Sequence, residues 1–98
     1  MRRDVYQAIA DPVRRDIINL LSEQALNVNS VAKHYEISRP AISRHLKILR
    51  ECGIIEVKKK GRERLCKIEP KMLEMAFTWI DQYKKLWKDN NNIPLSPN

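Results

Sequence analysis

Ninety-eight residues make one small domain, and a chain of that size buries a modest share of its surface, so pairing with a second copy is a common supplement. With 43% hydrophobic and 32% charged residues, the composition is that of a folded globular protein and excludes a disordered chain. The net charge of +7 is unevenly placed: residues 39–67 hold ten Lys or Arg against three Asp or Glu, the rest of the chain balances to zero, and so concentrated a basic patch points to a polyanionic partner, usually nucleic acid.

Residues 2–10 carry Val5, Tyr6 and Ile9 at helical spacing. Asp11 followed by Pro12 is a helix start, with Asp as N-cap and Pro at the first helical position. Val13, Ile17, Leu20 and Leu21 then predict a second helix to about residue 22 with that face inward and Arg14 and Arg15 on the wet side. Asn27 can cap a third helix that turns Val28, Val31, Ala32 and Tyr35 inward. Residues 35–37 make a short turn, and Ser38 caps a fourth helix that reaches residue 52. Two short helices, a tight turn and a basic second helix form a helix-turn-helix. Glu36 is a local conflict, because such turns favour a left-handed residue that Gly or Asn adopts more readily.

On the fourth helix Ile42, Leu46 and Leu49 make the inward seam, with His45 beside them. Arg39, Ser43 and Lys47 form one outward row, and Pro40 and Arg44 the adjacent one. Short side chains interleaved with long basic ones suit a helix that approaches base edges in the major groove, with Arg39 and Arg44 as candidates for bidentate contacts to guanine. Pro40 is tolerated because the first turn has no intrahelical donor to lose. Gly53 ends the helix. Residues 54–57 and 65–68 read as strands joined by the turn KKKGRER, a β-hairpin whose tip carries Lys58, Lys59, Lys60, Arg62 and Arg64. A basic hairpin directly after such a helix is a wing, able to follow the phosphate backbone or place an arginine in the minor groove.

Glu69 and Pro70 start the last helix, 71–89, whose apolar residues fall in two rows. Met72, Ala76, Trp79, Tyr83 and Leu86 make one; Leu73, Phe77, Ile80 and Trp87 make the other. Two apolar faces on a terminal helix need two partners, the chain's own core and a second copy. The expected dimer interface is Val5, Ile9, Met72, Met75, Ala76, Trp79, Tyr83 and Leu86. Residues 90–98, polar and proline-containing, are expected to form a flexible tail after a single domain at 1–89. The fold class is therefore mainly α with a small β-hairpin: a dimeric winged helix-turn-helix of about five helices and a two-stranded wing. No apolar run approaches the ~18 residues of a membrane span, and the start MRRDV leads into no signal-peptide core, so a cytoplasmic protein without a membrane partner is expected.

The pieces AIADPVRRDIINLL at 8–21, SVAKHYEIS at 30–38, RPAISRHLKILRECGII at 39–55 and the wing with GRERLCKI at 61–68 resemble the ArsR/SmtB family of small winged-helix repressors. The likeness runs from residue 4 to about residue 88. It implies a homodimer joined mainly through its first and last helices, with two recognition helices in successive major grooves. It carries DNA contact over to Arg39, Ser43, Arg44, His45 and Lys47, and wing contact to Arg62; Ser38 and Pro40 complete the candidate recognition set. His45 lies near the seam, so packing is its alternative role. The family's best-known members sense metals through paired cysteines in the third helix, where this chain has Asn27, Val28 and Asn29, or through Asp and His in a last helix that here has no His. The resemblance is thus to the metal-free, autorepressor-like branch, with no metal and no cofactor expected. Cys52 and Cys66, too few for a disulfide framework, read as small apolar side chains.

The function expected is a sequence-specific regulator of double-stranded DNA, a dimeric repressor that binds an inverted-repeat operator through helix 38–52 and wing 58–64. The alternatives are a winged-helix protein-interaction module and a metal- or thiol-responsive repressor using Cys52 and Cys66. An enzyme is not expected, since no acid pair, nucleophile–base pair or glycine-rich phosphate loop is present.

Overall fold

The computed structural model describes residues 3–88. Each of the first four helices begins where a polar side chain supplies an acceptor to an otherwise unpaired amide. Asp4 caps α1 (Val5–Ile9) by accepting the Gln7 amide at 3.0 Å, and Asp11 caps α2 (Pro12–Glu23) by accepting the Arg14 amide at 3.0 Å. After β1 (Leu26–Asn27), Asn27 caps α3 (Val28–Ala32) through the Ser30 amide at 2.7 Å. Ser38 caps α4 (Arg39–Glu51) through the Ala41 amide at 3.2 Å. The wing is β2 (Ile55–Lys60) and β3 (Glu63–Ile68), followed by α5 (Lys71–Asp81) and α6 (Lys84–Lys88).

The core is one cluster that every layer feeds. Val5 and Ala8 of α1, Ile17 and Leu21 of α2, Val31 of α3, the Ile42, Leu46 and Leu49 seam of α4, and Ile54, Ile55 and Cys66 beside and in the wing are all buried. The winged helix-turn-helix therefore forms as expected: α4 packs against α2 and α3, β3 lies against α2 and α3, and β2 lies against α4.

Gly53 sets the angle between α4 and the wing. It sits at φ +79°, the Ile54 amide donates back to Leu49 O and the Gly53 amide to Arg50 O, each at 3.0 Å, which is a Schellman closure. A Cβ there would also stand 3.1 Å from Met72 Cγ. Gly53→Ala should therefore destabilise the fold by about 1–2 kcal/mol. A lower urea midpoint at unchanged slope is the expected reading, and an unmoved midpoint would contradict it.

Four expectations are corrected. The sheet has three strands, ordered β1-β3-β2, because Leu26 and Asn27 pair with Cys66 and Leu65 of the central strand; two residues are too short to show an alternating pattern. The wing strands are longer than expected, since pairing continues through Lys58↔Leu65 and Lys59↔Arg64 to Lys60↔Glu63. That leaves a two-residue turn of Gly61 and Arg62, closed by Gly61 at φ +64°. The last helix is interrupted after Asp81, where the Tyr83 amide bonds Ile80 O three residues back at 3.1 Å and tightens the chain. Neither Gly nor Pro stands between 71 and 88 to announce this break.

The fourth correction concerns the two apolar rows. They do not divide into one core face and one partner face. Met72, Leu73 and Ala76, drawn from both rows, pack on the core, whereas Met75, Phe77, Trp79, Ile80, Tyr83, Leu86 and Trp87 are exposed. The reason is that the side chains reaching the core come from the first turns of α5, while farther along Trp79 meets Tyr6 of α1. Val5, expected at the dimer interface, is 1% exposed and belongs to the protomer's own core. The expected tail at 90–98 lies outside the described residues.

Candidate nucleic-acid interface

The α4 seam of Ile42, Leu46 and Leu49 faces inward, so the helix period turns the opposite side to solvent. Arg39, Pro40, Ser43, Arg44 and Lys47 are all exposed there, as is Ser38, whose hydroxyl oxygen is engaged as the cap. Pro40 and Arg44 stand roughly opposite the seam, while Arg39, Ser43 and Lys47 turn toward the wing. Between them and the wing lies an open groove of about 410 Å³. Arg39, Ser43, Lys47 and Arg50 line one wall, Arg62, Glu63 and Arg64 the other, and Leu46, Val57 and Cys66 lie between.

Several side chains in this groove are held in place. The Arg39 guanidinium donates to Asn29 Oδ1. Asn27 Nδ2 donates to Glu63 Oε1 at 2.9 Å, tying the carboxylate of the groove to the strand that precedes α3. Lys58, Lys59, Lys60, Arg62 and Arg64 are all exposed, and the register sets Lys59 directly opposite Arg64. Like charges facing each other across strands repel in the free protein, and an anion lying over them removes that penalty.

Two basic residues escaped the sequence reading. Arg50 continues the Arg39, Ser43, Lys47 row by a further three residues, so extending the same period would have found it. Arg14 does not lie on a wet face. Its Nε donates to Ala8 O at 3.0 Å and its Nη2 to Gln7 O at 2.9 Å, so it closes the C-terminus of α1. Arg15 stays exposed, with a bond to Ile9 O at 2.7 Å. His45 points away from the groove. Its side chain is 18% exposed, with Nδ1 at 3.4 Å from Arg14 Nη1 and 3.9 Å from Asp11 Oδ2.

Cys52 and Cys66 are both buried, and burial pushes both thiols up, which disfavours the reactive thiolate. Among the described residues no three His, Cys, Asp or Glu side chains gather as a metal site. Among the described residues no helix is long and apolar enough to cross a membrane.

Residues 11–57, from the cap of α2 into β2, match the family model described as bacterial regulatory protein, arsR family. The chain is 34% identical over 77 residues to the transcriptional repressor SdpR of Bacillus subtilis, covering 79% of this chain and 86% of that protein. It is 33% identical over 78 residues to the HTH-type transcriptional regulator Rv2034 of Mycobacterium tuberculosis, covering 80% and 73% respectively. Among solved structures, the ArsR family transcriptional regulator RHA00566 superposes with a TM-score of 0.75 at 32% identity, covering 85% of this chain and 91% of that one.

Proposed function

The chain belongs to the ArsR family of bacterial regulatory proteins and is a DNA-binding transcriptional regulator; we propose that it works in the cytoplasm as a dimeric repressor bound to an inverted-repeat operator. In this reading α4 enters the major groove, Arg39, Ser43 and Arg44 read base edges, and Lys47, Arg50 and the wing residues 58–64 hold phosphate. The observation that carries it is the pair of exposed basic walls, Arg39, Lys47 and Arg50 of α4 and Arg62 and Arg64 of the wing, that face each other across one groove. Its shape suits a duplex backbone lying between helix and hairpin, and the facing pair Lys59 and Arg64 favours a polyanion there.

Pairing of two copies rests on the aromatic surface of α1, α5 and α6. Tyr6 and Trp79 meet edge to face at 5.7 Å, Trp79 and Tyr83 at 5.3 Å, yet Trp79 remains 49% exposed. An exposed apolar surface that gathers Met75, Trp79, Tyr83 and Leu86 is of the kind that marks a protein–protein contact. With two copies joined there, half-sites about one helical turn apart, ~34–36 Å, become readable together.

Binding isotherms over a range of salt concentrations test the phosphate assignment. Lys59→Ala should weaken cognate and random duplexes alike and flatten the salt slope by about one per protomer. A loss confined to one sequence would contradict a phosphate role for Lys59.

A further inference from the structure

The first helix ends at Ile9, where the Ala10 amide donates to Gln7 O at 3.3 Å, and a side chain of the next helix completes the closure. Two branches of the Arg14 guanidinium go to Ala8 O and Gln7 O. The third reaches His45 on α4, close to the base-reading positions 43 and 44. Guanidinium has no acceptor, so an attractive contact requires a lone pair on His45 Nδ1 and therefore the proton on Nε2. Asp11 fixes the same corner. Its Oδ2 accepts the Arg14 amide and stands 3.9 Å from His45 Nδ1, beyond hydrogen-bond reach. A second tie, Arg3 Nε to Glu51 Oε1 at 3.1 Å, links the start of α1 to the last residue of α4.

We propose that Arg14 and His45 are positioning residues for DNA reading: a relay through which α1, the helix that carries Tyr6 to the aromatic surface, sets the rotation of α4. The inference rests on the proposed role of α4. The buried seam holds the overall orientation of α4, and because a helix turns as a rigid body, loss of the His45 anchor shifts Ser43 and Arg44 within it. His45 acts from behind the reading face and touches no phosphate.

Two measurements test this on the full chain. In the unmodified protein at about pH 8, above the usual histidine range, a long-range proton–nitrogen NMR spectrum should show His45 protonated on Nε2 alone. A ring protonated on Nδ1 overturns the relay. In DNA binding, His45→Ala should lower affinity about tenfold, within the range for residues sharing one network. The double variant with Arg14→Ala should lose no more than the worse single variant, and the salt slope should stay unchanged. His45→Asn, whose Oδ1 can accept from Arg14, should recover most of the loss without recovering a direct imidazole contact. Losses that multiply, as independent sites do, or a flattened salt slope for His45→Ala, would make His45 a direct DNA contact and overturn the proposal. Circular dichroism of each variant at the binding temperature confirms that folded protein is compared. Failure of the unmodified chain to bind any duplex contradicts the proposed function instead, which separates the two outcomes.

Discussion

Arg44→Ala is expected to lower affinity for the cognate operator by about 5- to 150-fold per half-site, the equivalent of ~1–3 kcal/mol for a lost bidentate base contact. The side chain is exposed on the ridge of α4 farthest from the Ile42, Leu46 and Leu49 seam, so nothing in the fold relies on it. Stability should stay within about 0.5 kcal/mol of the parent, as for surface substitutions generally. Binding to scrambled duplex should change far less, because the lysines and arginines of the wing still meet phosphate. Competition between operator and scrambled fragments measures both quantities at once. An equal loss on the two would reassign Arg44 to phosphate.

Ile42→Ala should do the reverse. Ile42 is fully buried on the same helix, only two residues from Arg44, and its truncation leaves a cavity beneath the recognition surface. Such truncations cost about 2–5 kcal/mol, against a total of roughly 5–15 kcal/mol for a domain of this kind. Urea unfolding should reveal a much lower midpoint, while the variant, kept where it is still folded, retains its preference for operator over scrambled DNA. A stable Ile42→Ala protein would mean that the seam does not anchor α4. Together the two variants separate what aims the helix from what the helix reads.

Much of this division was legible in the residues. Asp11, Asn27 and Ser38 are strong capping types, the Ile42–Leu46–Leu49 seam has a clear helical period, and Gly53 marks a stop that no other residue makes easily. The basic rows of α4 and the wing could be read the same way, because exposure follows from the period once the seam is known. What escaped depended on contacts between distant residues. Leu26 and Asn27 become a strand only because β3 offers an edge. Arg14 looked like a wet-face charge because its acceptors, the end carbonyls of α1 and the ring of His45, are not visible as a local pattern. The interruption at Gln82 and Tyr83 has no residue-type signature, and the mixing of the two apolar rows on α5 follows from where the helix leaves the core.

The central claim is that α4 reads sequence and that a second copy completes the site. Selection of bound duplexes from a random-sequence pool tests it most directly. The enriched sequences should share an inverted repeat whose half-site centres lie one helical turn, about 10–10.5 base pairs, or a multiple of it apart. They should also lose that motif when Arg44→Ala protein is used. A pool that stays random after selection by the unmodified chain would contradict the claim.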